Sequence, residues 1–100
     1  MKFQPHANTL EVSGLTELNA TNAGAFRDAT RAALTDATTV VDVDLSLARF
    51  LDSSGLGALI ALQKTLAGRG GRVRLLNPTA TTQQILELTR LHRILEIVKS

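Results

Sequence analysis

Cysteine is absent from the 100 residues, and with it go disulfide staples and thiolate metal sites. That absence fits a reducing cytosol, and a cytoplasmic location is expected. Tryptophan and tyrosine are absent too, and the aromatic residues are only Phe3, Phe26 and Phe50. Such a chain offers few platforms on which bases could stack. Charge of one sign is also scarce: 11 cationic against 9 anionic residues leave +2. The later arginines, Arg69, Arg72, Arg74, Arg90 and Arg93, with Lys99, read as a solvated charged face, and no direct nucleic-acid binding is expected. Long hydrophobic runs are missing. Met1-Lys2-Phe3-Gln4-Pro5-His6 is not followed by one, so neither a signal peptide nor membrane insertion is expected.

What is present suits one domain spanning residues 1–100, large enough to fold around a single core. Leu10-Glu11-Val12 alternates as a half-buried strand does, with Phe3 in a partner strand and Pro5-His6-Ala7-Asn8 as the turn between them. Asn19 to Asn22 offers capping residues for a helix over Ala23 to Leu34, whose apolar face carries Phe26, Ala29, Ala33 and Leu34. Val40 to Leu45 reads as a buried strand. A helix follows from Ser53 to about Ala67 and is stopped by Gly68-Arg69-Gly70-Gly71. Arg72 to Leu76 is a third strand, broken by Asn77-Pro78. Thr79, Thr81 or Thr82 then caps a helix through Thr89 with Ile85, Leu86 and Leu88 apolar. Ile94 to Val98 reads either as an edge strand or as a helix continuation. The alternation of strands and helices predicts an α/β fold with parallel pairing, a mixed sheet of about five strands and three to four helices.

One stretch stands out. Asp52-Ser53-Ser54-Gly55-Leu56-Gly57 lies between the second clear strand and its crossover helix, at the strand end where functional loops of such sheets gather. One capping residue would suffice there, worth about 1 kcal/mol, yet three stand in a row. Two glycines in the first turn weaken the helix, each by about 1 kcal/mol relative to alanine, and leave its backbone N–H groups accessible to a negative group. The stretch fits no nucleotide fingerprint: the third glycine of G-x-G-x-x-G would fall at Ile60, and no Walker lysine follows. G-x-S-x-G and S-x-x-K are absent around Ser53, so a serine nucleophile lacks a visible base and no catalytic residue is assigned. His6 and His92 lie far apart, no metal-ligand spacing appears, and no cofactor is expected. Asp42 and Asp44 are expected at the strand end or on an exposed face, since buried between helices they would need partners.

The run Leu45-Ser46-Leu47-Ala48-Arg49-Phe50-Leu51-Asp52-Ser53-Ser54-Gly55-Leu56-Gly57 closely resembles the central motif of STAS domains, most of all the bacterial anti-sigma factor antagonists. Gly71 to Asn77 resembles the family's next strand, and Leu86-Glu87-Leu88-Thr89, Leu91 and Leu95-Glu96-Ile97 its last helix and tail, so the resemblance covers nearly the whole chain. It implies a compact STAS-like fold and a non-enzymatic switch that binds an anti-sigma factor which is also a serine kinase, and so frees a sigma factor. It places the phosphorylated residue at Ser53 and a partner-binding surface at Asn19, Asp52, Ser54, Gly55, Leu56 and Gly57. A phosphatase of the metal-dependent PP2C class reverses the modification, and ATP and Mg²⁺ belong to the partner enzymes. Two departures stand against the family pattern. Asn19 follows Leu18 where relatives usually carry an aspartate, and Arg90 and His92 replace a common glycine and an acidic residue. They motivate the competing expectation of a STAS scaffold or an accessory subunit of a stress-signalling or lipid or anion transport complex, without phosphorylation.

Overall fold

The computed structural model describes residues 1–99. A hairpin comes first, with β1 (Lys2–His6) antiparallel to β2 (Thr9–Ser13). Its turn is only Ala7-Asn8, with Ala7 at φ 53°, so Pro5 and His6 belong to the strand and not to the connection. Pro5 is tolerated because β1 is an edge strand, where a missing N–H removes no interior ladder bond. The two-residue strand β3 (Glu17–Leu18) leads into helix α1 (Ala23–Ala33). Strand β4 (Val40–Asp44) and the short β5 (Phe50–Leu51) precede α2 (Ser53–Ala67). Strand β6 (Arg72–Leu76), α3 (Ala80–Leu88), a 3-10 turn (Leu91–Arg93) and β7 (Glu96–Val98) complete the chain. The last segment is therefore a strand, parallel to β6.

The main sheet runs β1-β2-β4-β6-β7 and is parallel apart from its first pair. Beside it, β3 and β5 form a two-stranded parallel ribbon that the sequence pattern does not announce. From β2 onward the strands enter the sheet in chain order, so right-handed crossovers carry all three helices over one face. That face supplies the core: Leu10, Val12, Val41, Val43, Val73 and Leu75 are buried beneath Phe26, Leu59, Leu62, Leu66 and Leu86. The apolar faces differ from expectation at two places. On α1 Phe26 is buried and Ala33 and Leu34 pack against the core as expected, but Ala23 and Thr30 are buried as well, the hydroxyl of Thr30 donating to the Phe26 carbonyl at 2.6 Å. On α3 Leu88 points away from the core and is 76% exposed.

Among the described residues, the other face carries no helix. Cross-strand register places Glu11, Asp42, Arg74 and Glu96 in one row across it. Asp42 lies in mid-strand, not at the strand end, and is only 5% exposed on this otherwise open face. Its two carboxylate oxygens each accept a 2.7 Å bond from the Arg74 guanidinium, the planar two-point pairing that suits a half-buried arginine. Arg72 and Glu96 pair beside it at 3.0 Å.

The amino end of the sheet is fastened by close backbone contact. A Cβ on Gly71 would collide with the Thr39 carbonyl oxygen, which accepts from Arg72 N at 2.9 Å. Arg69 donates to the Thr35 and Thr38 carbonyls, tying the α2–β6 turn to the α1–β4 connection. The carboxyl end is left to carry the site.

Candidate functional site

The β3–β5 ribbon explains how the Asp52–Gly57 stretch is placed. Pairing Leu18 with Leu51 and Glu17 with Phe50 brings the start of α1 beside the start of α2. Asp52 N donates to the Leu18 carbonyl at 3.3 Å, and Asp52 itself is the N-cap of α2, its Oδ1 accepting from Gly55 N at 2.9 Å. Its Oδ2 accepts from Ala20 N at 3.0 Å. The Gly55 amide holds the Asp52 carboxyl below its ordinary 3.8, partial desolvation opposes that, and the Ala20 amide adds to the lowering. The charged form is thus the one the site is built around.

Ser53 and Ser54 occupy the first two positions of α2 and are exposed. Neither hydroxyl bonds another described residue. Gly55 is buried, and a Cβ there would drive into the Leu18 carbonyl oxygen. Its lack of a side chain is thus needed for the close approach of α2 to β3, and its N–H is taken by Asp52 and is not free for an external group. Leu56 is buried in the core. Gly57 is exposed, and a Cβ there would meet nothing, so nothing inside the domain requires a glycine at that position.

Asn19 is spent locally. Its carbonyl accepts from Asn22 N and Ala23 N, its Oδ1 from Thr21 N, and its own N–H donates to Asn22 Oδ1. It therefore builds the turn that starts α1, which Asn22 Nδ2 anchors to the Glu17 carbonyl. The structure brings Asn19, Asp52, Ser53, Ser54 and Gly57 to one end of the molecule, with Gly55 and Leu56 beneath them. Leu47 and Phe50, 59% and 51% exposed, come just before the stretch. The sequence reading did not single them out, although an apolar residue outside any amphipathic pattern was there to be seen. His6 pairs with Glu11 on β2, and His92 lies beyond α3 with its Nδ1 3.4 Å from the Leu86 carbonyl, so neither histidine joins the serines. Among the described residues no three His, Asp or Glu side chains gather around a common point, and no helix is long and apolar enough to cross a membrane.

The family model described as "Mlab, STAS domain" matches residues 1–98. Protein TM1081 of Thermotoga maritima has the same fold at a TM-score of 0.89 and 24% identity, covering 99% of this chain and 85% of its own. The anti-sigma factor antagonist SpoIIAA of Bacillus, solved in unphosphorylated and phosphorylated forms, aligns in the former at 0.85 and 22% identity, covering 99% and 86%. An anti-sigma factor antagonist from Mycobacterium paratuberculosis aligns at 0.82 and 26% identity, covering 96% and 81%. No curated protein sequence matches.

Proposed function

The chain belongs to the STAS domain family, and on that premise we propose that it is an anti-sigma factor antagonist: a non-catalytic binding protein switched by phosphorylation of Ser53. In its unmodified form it holds an anti-sigma factor that is also a serine kinase, through the surface formed by Asn19, Asp52, Ser53, Ser54 and Gly57, and so frees a sigma factor. A PP2C-type phosphatase restores the binding form. The observation that carries this reading is the state of the Ser53 hydroxyl: exposed at the first position of α2, without a bond to any described residue, and beside an N-cap that Asp52 already fills. A serine needed for capping would be bonded. This one is free for chemistry from outside. That SpoIIAA, which shares this fold, has been solved in a phosphorylated form supports phosphorylation as the switching chemistry.

Local electrostatics suffices for switching. A phosphate on Ser53 adds about −1.5 to −2 charges next to the Asp52 carboxylate. Burying that charge in an interface shaped for a neutral serine costs roughly 2–5 kcal/mol. Binding then weakens by about 30-fold to several thousandfold. The test is incubation with the purified cognate kinase and ATP, followed by mass spectrometry and a binding titration of Ser53→Asp. Phosphate found on Ser53 together with weakened binding of the variant supports the reading. An unmodified Ser53 and a variant that binds like the parent chain overturn it.

One observation favours a second reading. Asn19 stands where relatives usually present an acid, and its side chain serves its own turn. A STAS scaffold or transport-complex subunit that is never phosphorylated is consistent with that. The same kinase assay separates the two.

A further inference from the structure

Asp52 divides its carboxylate between two elements. Oδ1 serves the first turn of α2 through Gly55 N, and Oδ2 reaches across 32 residues to Ala20 N. Ala20 lies in the Asn19–Asn22 turn, whose remaining bonds run within the turn or to the start of α1 and the Glu17 carbonyl. Among the described residues, Asp52 is the only side chain of the β5–α2 junction that bonds this turn. We propose that this carboxylate is the joint through which a charge on Ser53 reaches the turn: phosphorylation releases Ala20 from Asp52 and loosens Asn19–Thr21. The modified site then differs in shape on its Asn19 side as well as in charge on its Ser53 side. This inference rests on the reading of Ser53 as a phosphate acceptor.

The physics favours release at Ala20 over release at Gly55. Phosphoserine at the first helical position and the Asp52 carboxylate draw on the same N–H groups of the first turn, and the two anions repel. Like charges on adjacent residues repel even in water's dielectric. The bond to Gly55 closes a three-residue loop inside a helix that packing holds in place. The bond to Ala20 is made to an exposed turn, which yields first. Replacing Asp52 with asparagine mimics the release without adding charge: asparagine caps a helix as aspartate does, and with its oxygen on Gly55 N its NH2 group, which cannot accept, replaces the oxygen that faces Ala20 N.

The test needs no kinase. Chain synthesised with phosphoserine at position 53 is compared by NMR with the unmodified chain and with Asp52→Asn. The readouts are the amide shift and the picosecond–nanosecond order parameter of Ala20. In the phosphorylated chain the Ala20 signal moves to its Asp52→Asn position, and its order parameter falls from about 0.85 to below about 0.6, while Gly55 stays rigid. Should Asp52→Asn fail to fold, Asp52→Ser, which also offers one capping oxygen, supplies the reference. An Ala20 amide with unchanged shift and order in the phosphorylated chain overturns the coupling and leaves the assignment of Ser53 to its own kinase assay. Conversely, a kinase that ignores Ser53 overturns that assignment while the coupling is still read from the synthetic chain.

Discussion

Helix α3 begins at Thr79 and turns its hydroxyls inward, whereas α2 begins at Asp52 and leaves Ser53 and Ser54 on the outside. At the start of α3, Thr79 Oγ1 and Thr82 Oγ1 lie 3.0 and 3.1 Å from the Ala48 carbonyl oxygen, and Thr82 N donates to Thr79 Oγ1 at 3.3 Å. Those hydroxyls hold the segment that leads into β5, and so hold the approach to the site. At the start of α2 a carboxylate does the capping, and both hydroxyls remain unused. Two helix starts rich in the same residue type are thus put to structural use in one case and left open in the other. Capping alone does not tell them apart; the partner of each oxygen does.

The sharpest way to break this contrast is at the glycine that lets α2 sit where it does. Gly55→Ala drives a methyl group into the Leu18 carbonyl and separates α2 from β3. A loss of about 3 kcal/mol is expected, because the obstacle is backbone and cannot rotate aside. Gly57→Ala, two residues on, meets open space and gains about 0.5–1 kcal/mol by relieving the helix of a glycine. Chemical denaturation of the two variants checks both signs. Equal losses at both positions would mean that the close approach to Leu18 is not what requires Gly55.

Next in size is the inward set of hydroxyls. Thr82→Val removes a buried hydroxyl at constant shape, and Thr79→Ala removes the N-cap of α3. Each is expected to cost about 1–2 kcal/mol, measured by urea unfolding.

Most of the architecture was legible in the sequence, because the alternation of strands and helices and the glycine-rich stops are local signals. The orientation of the hydroxyls was not. Whether Thr82 or Ser53 turns inward depends on where Ala48 lies, and that is set by a ribbon of two-residue strands too short to carry any pattern. The same ribbon conceals the reason for Gly55. The pairing of Asp42 with Arg74 was hidden for another reason: it joins residues 32 apart, and only register brings them together. A signal for the open face did exist. Strands of a doubly covered parallel sheet read as continuous apolar runs, yet Asp42 and Asp44, and Arg72 and Arg74, alternate with apolar residues.

A smaller effect comes from acid. The Asp52 carboxyl is depressed below its ordinary 3.8 in the folded chain, so its contribution is present in full above about pH 4 and is lost as pH falls through the lower folded value. Protonation removes the charge that both Gly55 N and Ala20 N point toward. The two amides are therefore expected to titrate together in NMR, with a common midpoint below 3.8. Nothing at the start of α3 titrates, so Thr82 N stays constant over the same range. Independent midpoints for Gly55 and Ala20 would show that one carboxylate does not hold both.

The smallest expected effect on stability is also the most discriminating. Ser53→Ala deletes a hydroxyl that bonds no other described residue, and alanine is the better helix former. Stability should change by less than about 0.5 kcal/mol, the range of a surface substitution away from any cap or buried group. Thr82→Val reverses the pattern, with a loss of stability and no loss of an acceptor for phosphate. If Ser53→Ala were instead to cost as much as Thr82→Val, the Ser53 hydroxyl would be carrying structure in solution. The free hydroxyl on which its assignment as the modified residue depends would then be gone. A stable Ser53→Ala chain that can no longer be phosphorylated would place the whole effect of that oxygen outside the fold, which is what a switch residue requires.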